Sequence, residues 1–437
     1  IVFGDWSSDV CSSDLSGNVP TTLQTVQFGG YSDDIANDVS SGRQYWLSKF
    51  IVGETSGSLN SLASLGNKDA FFAFYSEFYD VWEYVQWGST AFDSAQAVAT
   101  YLGDPASLAD AMFSNVVVGT TEGNFDGNTS AGGRDCFLTY FLNEEKLQTL
   151  QWGTSNNDVA SDVVYDNTTT AVYVSGYTCG AMNGQVKSGM CDLFVAKYNG
   201  TTHVWTRQIG TGNTSTYATG TGIAIDSLGN VVVVGTTSGT FDGNLSAGGE
   251  DIILVKYNSA GTKQWSRQVG SAGNDTAMKV AISNTDIYLT GYTTGSLDGT
   301  TTNTARDAFL LKFNSAGTQQ WTRQLGSTLT SAEDYGFGVS VDTSVANGNI
   351  AISGVACGSL TGNTSVGGCD AFVAVYNPSG VLQQAKQWGS PTQEVANAVY
   401  YYNNELLFAG YSYAELGSGS YGRSEERRVG KECRSRW

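Results

Sequence analysis

Apolar positions along this chain fall in short runs separated by polar turns, and no stretch keeps the 3.6-residue spacing of an amphipathic helix. The clearest stretch runs from 208 to 268. Gln208-Ile209-Gly210 ends one run and opens a loop. Thr221-Gly222-Ile223-Ala224-Ile225-Asp226 alternates as a half-buried strand does, and Ser227-Leu228-Gly229-Asn230 makes a turn. Val231-Val232-Val233-Val234-Gly235 is continuously apolar, which predicts a strand covered on both faces. A polar loop from 239 to 250 leads into a third strand, Asp251 to Tyr257. Asn258-Ser259-Ala260-Gly261 is a hairpin turn, and Lys263 to Gln268 is a fourth strand that begins the next unit.

This unit recurs about seven times. Segments open with Gln-x-Gly at Gln27, Gln86, Gln151, Gln208, Gln268, Gln324 and Gln387, with successive starts 56 to 65 residues apart. A unit this small cannot bury an apolar face alone, so neighbours must stack. Four short antiparallel strands at this interval predict the blades of an all-β propeller, most simply seven four-stranded blades with the last incomplete. If the ring closes, the N-terminal strand Thr22 to Gln27, which matches a fourth strand, is expected to complete the last blade, with one strand still missing. Both ends break the repeat. Residues 1–15 and 423–437 resemble translated sequencing-adapter sequence and are set aside as non-native, leaving 16–422 as the propeller. Six of the 22 Lys+Arg lie in the last fifteen residues.

Composition fits strands and turns: 54 Gly, 4 Pro, and abundant Thr, Ser, Val and Tyr. The net charge of −19 argues against a nucleic-acid partner, because phosphates need Lys and Arg. No internal apolar run approaches the roughly 20 residues of a spanning helix. Cys179 and Cys191 lie twelve residues apart, as do Cys357 and Cys369, each pair at the same place in its unit. The unit at Gln208 has neither, so the two arrive together, as expected of two disulfides; reduced buried thiols are the alternative. Disulfides imply an oxidising compartment. Cys136 has no counterpart and is expected to be a free, packed thiol.

The stretch Ile223 to Thr237 resembles the SBBP repeat, named for seven-bladed β-propellers, and the likeness extends over essentially all of 27–422. A Trp-x-Arg-Gln ending is clear only at Trp205, Trp265 and Trp321. The resemblance implies a propeller and an exported or cell-surface protein. It carries no catalytic residues.

Two sets of acids could carry chemistry. Seven residues after the Gln stand Asp34, Asp93, Asp158, Asp275 and Glu394, with Asp334 shifted three along and Ser215 in the Gln208 unit. They are either carboxylates capping turns at strand entrances or an acidic ring at the channel mouth that draws in a cation or cationic partner. In the second set, Asp126, Asn128, Ser130 and Asp135 place oxygens at alternate positions before a later carboxylate. Asp242, Asn244, Ser246 and Asp251 repeat the pattern. This suggests Ca²⁺ or, alternatively, a polar turn with a capping Asp; the spacing is not that of an EF-hand. The loop from Asp298 to Asp307 has Thr300 and Thr302 instead.

Catalytic signals are sparse. The single histidine, His203, sits in a fourth strand, and no nucleophile elbow, phosphate loop or Cys-x-x-Cys is present. The sequence therefore predicts a monomeric, non-enzymatic extracellular propeller that binds a protein or carbohydrate through an acidic loop face. Alternatives are a structural matrix repeat stiffened by disulfides and Ca²⁺, and a hydrolase or lyase with a site at the channel mouth.

Overall fold

A computed structural model describes residues 2–5, 24–27, 33–42, 49–59, 62–76, 81–101, 114–142, 145–299, 305–327, 329 and 331–413. Six of the sheets are each built from four consecutive antiparallel strands. Blade one comprises Asp34–Ser41, Lys49–Thr55, Asp69–Ser76 and Val81–Trp87. Blade two comprises Asp93–Thr100, Asn115–Thr121, Asp135–Leu142 and Glu145–Trp152. Blade three comprises Asp158–Tyr165, Ala171–Thr178, Asp192–Asn199 and Thr202–Ile209. Blade four comprises Ala218–Ile225, Val231–Thr237, Asp251–Tyr257 and Lys263–Val269. Blade five comprises Asp275–Ser283, Asp286–Thr293, Asp307–Phe313 and Gln319–Leu325. Blade six comprises Asp334–Val341, Ile350–Ala356, Asp370–Tyr376 and Leu382–Trp388.

The seventh position differs from the expectation of seven four-stranded repeats. Among the described residues the seventh unit supplies two strands, Glu394–Tyr402 and Glu405–Ser412. Val2–Asp5 pairs antiparallel with Glu405–Ser412, and Gln24–Gln27 pairs with Val2–Asp5. The first of these segments lies inside the stretch set aside as adapter-like. The segments 6–23 and 414–437, and the residues Thr300 and Thr302, lie outside the described residues.

The core is a ring of seams. Seven apolar clusters each take side chains from two neighbouring blades, and the two-stranded piece joins blade six on one side and blade one on the other. The apolar run of blade four shows why the second strand is apolar throughout. Val231 and Val233 face blade three, while Val232 and Val234 face blade five. At about 25 cal/mol per Å² of apolar surface removed from water, this two-sided burial is the main stabilising term.

The Trp-x-Arg signature ties seams together at the rim. Arg207 Nε donates to the Gly261 carbonyl (2.7 Å), Arg267 Nε to that of Gly317 (2.9 Å) and Arg323 Nε to that of Gly380 (2.6 Å). Each carbonyl belongs to the outer hairpin of the next blade. The Trp indoles at 205 and 265 donate to Ser259 and Ser315 of the same hairpins. The signature is therefore confined to blades three to five, each followed by an Asn-x-x-Gly hairpin.

Candidate functional site

The repeated Gln-x-Gly is half of a clamp. In all six blades the Gln Nε2 donates to the Asp that opens the third strand, at 2.7–3.0 Å: Gln86 to Asp69, Gln151 to Asp135, Gln208 to Asp192, Gln268 to Asp251, Gln324 to Asp307 and Gln387 to Asp370. Its Oε1 accepts a backbone N–H from the loop between strands two and three, as from Phe241 at 2.8 Å in blade four. The same Asp oxygen accepts another loop N–H, as from Ala247 at 3.0 Å. The glycine leaves room for the other Asp oxygen. A Cβ on Gly270 would stand 2.0 Å from Asp251 Oδ1. Sequence inspection finds the Gln and Gly as markers but not their shared partner, which lies 16 or 17 residues upstream.

Of the two readings for the strand-entrance acids, the positions match the turn cap. Asp93, Asp158, Asp275, Asp334 and Glu394 have no exposed surface, and Asp34 is half-buried. Backbone N–H groups of Ser89, Thr154, Ser271, Ser327 and Ser390 donate to them at 2.5–2.7 Å. Thr178 and Thr293 hydroxyls donate to Asp158 and Asp275 from the neighbouring strand. These carboxylates therefore present no ring of charge to the channel mouth. In blade four the equivalent place is Ala218, opposite Thr237, and not Ser215: the loop carries the same three-residue insertion as before Asp334.

Four of the buried caps, Asp93, Asp158, Asp275 and Asp334, also face the clamp Asp of the preceding blade. Burial raises the acids Asp93, Asp158 and Asp275 above the usual carboxylate range, the donated hydrogen bonds oppose this, and Asp69, Asp135 and Asp251 add like-charge repulsion. Asp334 rises to about 6 by burial first, against hydrogen bonds from Ser327 and Cys357, with Asp307 adding to the rise.

The residues suggested for Ca²⁺ divide between two other tasks. Asp126 and Asp242 occupy positive-φ turn positions before Gly127 and Gly243. Lys146 Nζ lies 2.5 Å from Asp126, and Lys263 Nζ lies 2.5 Å from Asp242. Thr149 and Ser266 hydroxyls donate to the same carboxylates. Asn128 and Asn244 turn their Nδ2 inward to the Phe125 and Phe241 carbonyls, while Ser130 and Ser246 donate to Gly132 and Gly248. Asp135 and Asp251 are the buried clamp acids. Among the described residues no group of three or more His, Cys, Asp or Glu side chains is placed to hold a metal ion.

The cysteines pair as expected: Cys179 with Cys191 and Cys357 with Cys369, each joining the two strands that flank one loop. Cys136 is free and buried, and burial drives its thiol far up, out of the reactive range. His203 lies exposed on an outer strand, its Nε2 2.8 Å from the Thr206 hydroxyl.

The central channel carries groups that sequence inspection missed. All seven innermost strands are bulged at the same place, at Asn37, Gln96, Ser161, Thr221, Met278, Phe337 and Asn397. A bulge re-aims a side chain, and these seven are half-exposed. Several stitch one blade to the next. Asn37 donates to the Ala95 carbonyl (2.8 Å), Thr221 to Ala277 (2.8 Å) and Asn397 to Ala36 (2.8 Å).

One residue further on, a crossbar spans the channel. Lys279 of blade five lies 2.7 Å from Asp162 of blade three and 3.7 Å from Asp38 of blade one. Each acid is also held by a backbone N–H of the blade after its own, Val98 to Asp38 and Ile223 to Asp162. Burial pushes Asp38 up to about 6; Lys279 pulls it down, and Asp162 pushes it up. Burial pulls Lys279 down, but Asp162 and Asp38 outweigh it and lift the ammonium to about 12. The other blades have only Ala97, Gly222, Gly338 and Ala398 at this level, which leaves room for the lysine. A charge four residues after the strand-entrance acids Asp34, Asp158 and Asp275 was the available signal.

On the loop face, half-exposed groups differ from blade to blade. Phe92 lies under both Lys68 and Arg134, at 5.8 and 5.5 Å. Arg306 sits over the rings of Tyr292 and Tyr335, at 5.7 and 5.6 Å, and bonds Glu333 at 2.5 Å. Tyr217 donates to Glu250.

In shape the chain is similar to the beta-propeller domain of the Trilobed protease from Pyrococcus furiosus, with TM-score 0.45, 6% identity, and coverage of 89% of this chain and 92% of that one. It is also similar to a post-proline cleaving enzyme from Rickettsia typhi, with TM-score 0.39, 8% identity, and coverage of 80% of this chain and 44% of that one. No curated protein matches the chain in sequence. The family model described as beta-propeller repeat, SBBP, matches residues 204–242, from the outer strand of blade three to the Asp242 turn of blade four: the chain carries an SBBP propeller repeat.

Proposed function

We propose that this propeller is a non-enzymatic binding scaffold, exported from the cell, that holds a protein partner on its loop face. One observation carries the reading. The groups repeated in every blade are used in clamps and seams, and the groups that vary stand half-exposed around the strand entrances. Loop-borne variation on a rigid frame is how binding surfaces are built. Tyr292, Tyr335 and Arg306 are of the residue types enriched at interface hot spots. The two disulfides support an oxidising, extracellular location.

The test is capture of partners from the medium or surface of the source cells. Arg306→Glu removes the cation that orders the loop-face cluster. Leu228→Glu alters an 80% exposed residue of a first hairpin, at the opposite end of the strands. Partners held by the native chain and by Leu228→Glu, but lost from Arg306→Glu, are the expected result. Equal retention by all three overturns the loop-face reading. Binding to a glycan array in place of any protein reassigns the partner's chemistry, and turnover of a glycan or peptide favours the channel-mouth enzyme.

A further inference from the structure

At three seams two buried acids share one small space. Asp69 and Asp93, Asp135 and Asp158, and Asp251 and Asp275 have no exposed surface. The two oxygens of each clamp Asp have different fates. Oδ2 of Asp251 accepts the Gln268 amide (2.7 Å) and the Ala247 N–H (3.0 Å), while its Oδ1 is buried and has no hydrogen-bond donor. Oδ1 of Asp69 and Oδ1 of Asp135 are buried without a donor in the same way. The glycine after the Gln locates the cap acid relative to this oxygen. A Cβ on Gly270 would stand 2.0 Å from Asp251 Oδ1 and 3.0 Å from Asp275 Oδ2. At Gly153 the distances are 2.2 Å to Asp135 Oδ1 and 2.9 Å to Asp158 Oδ2, and at Gly88 they are 2.4 Å to Asp69 Oδ1 and 2.9 Å to Asp93 Oδ2.

The seam between blades three and four is a control within the molecule. Ala218 stands there in place of the cap acid. Oδ1 of Asp192 then accepts the Gly189 N–H at 2.6 Å, while Oδ2 accepts Gln208 (2.9 Å) and the Ser188 N–H (2.7 Å). Where the second acid is missing, a backbone amide supplies the hydrogen. Where it is present, no protein group does. An acceptor buried without a donor is costly, and more so beside a second negative charge. A proton removes both costs, because it turns one acid into an O–H donor and cancels one charge.

Among the described residues no lysine or arginine is paired with any of these six acids. Asp251 is the charged group that acts on Asp275, as Asp69 is on Asp93. Glu250, beside Asp251, turns to the Tyr217 and Thr276 hydroxyls. At the Asp135–Asp158 seam the other titratable groups are the buried Cys136 thiol and Tyr177, with Arg134 acting on Tyr177. We infer that each of these three seams binds one proton, shared between its clamp and cap acids, so that the propeller tightens when its surroundings turn mildly acidic. The sign follows from burial and like charge, which lift Asp93, Asp158 and Asp275 above the ordinary carboxylate value near 3.8. The stabilisation is full below that ordinary value and is lost as pH rises through the raised ones.

The test compares Asp251→Asn with Asp192→Asn in the otherwise native chain, by thermal unfolding at pH 5 and pH 8. Asparagine copies the protonated clamp at Asp251: its oxygen takes the Gln268 and Ala247 donors, and its amide N–H replaces the O–H facing Asp275. At Asp192 both oxygens already accept N–H groups, so the amide nitrogen opposes a donor whichever way it turns. The midpoint of Asp251→Asn is expected to match the native one at pH 5 and to equal or exceed it at pH 8, whereas Asp192→Asn falls below native at both. The infrared spectrum of the folded native chain at pH 6 should carry a protonated-carboxyl C=O stretch that weakens in Asp251→Asn and not in Asp192→Asn. A midpoint of Asp251→Asn that drops at pH 8 as far as that of Asp192→Asn overturns the inference. So does a native spectrum at pH 6 without the protonated-carboxyl stretch, a result that depends on no variant.

Discussion

Replacing Lys279 by Met tests whether the channel crossbar acts through charge. The substitution keeps the length of the stem and removes the ammonium that faces Asp162 and Asp38, whose side chains are only 7% and 13% exposed. Removing one partner of a buried ion pair costs about 3–5 kcal/mol, because the remaining charge loses its compensation. With an unfolding entropy of about 2.1 cal/mol/K per residue over the ordered chain, that corresponds to a fall in midpoint of roughly 4–6 °C. The sign of the pH dependence follows from Asp38. Its folded pKa is raised to about 6, so its contribution to stability is full below its ordinary value near 3.8 and is lost as pH rises through about 6. Without Lys279 that acid rises further, so protonation at pH 5 relieves much of the penalty and ionisation at pH 8 does not. Thermal unfolding by circular dichroism at pH 5 and pH 8 measures both. The loss for Lys279→Met should be clearly larger at pH 8. An equal loss at both pH values refutes the charge argument and leaves packing as the cause. A loss near zero refutes the crossbar itself.

Gln268→Leu leaves the Asp251 carboxylate and the Phe241 N–H without their shared partner, so denaturant unfolding should show a loss of about 2–4 kcal/mol. Gly270→Ala should cost at least as much, because its Cβ would fall 2.0 Å from Asp251 Oδ1, whereas Gly243→Ala meets no atom within 4 Å and bears only the strain of its positive φ, about 1 kcal/mol. Reducing the disulfides should lower the midpoint, each bond contributing about 3 kcal/mol for a loop of this size; a midpoint indifferent to reductant contradicts the pairing. A chelator should leave the midpoint unchanged, since Lys146 and Lys263 already neutralise Asp126 and Asp242.

The strands were legible because their information is local. Alternation, apolar runs and Asn-x-x-Gly turns set them to within a few residues, as at Asp251–Tyr257. The disulfides were legible because their cysteines hold equivalent places in two units. The role of the acids was not, because burial at a seam depends on the neighbouring blade. Asp158 and Asp126 look alike as loop carboxylates, yet one is sealed in a seam and the other faces a lysine. The crossbar was hidden by distance, since Lys279 and Asp162 are 117 residues apart and meet only because seven bulged strands surround one axis. In the Ca²⁺ pattern the alternate oxygens are engaged by different partners, Asp126 by Lys146 and Ser130 by the Gly132 carbonyl, which spacing alone does not reveal.

Ala218 gives the seam between blades three and four a different chemistry. With no second carboxylate there, the outer oxygen of Asp192 takes a hydrogen bond from the Gly189 backbone at 2.6 Å. Two solutions to the same vacancy thus coexist in one molecule. The strand-entrance acid is dispensable where a neighbouring amide takes its place, whereas the Gln-to-Asp clamp is present in all six blades. Residues 204–242, where the family likeness is plainest, include this acid-free joint. A search that demanded the acid would pass over the most typical unit of the chain.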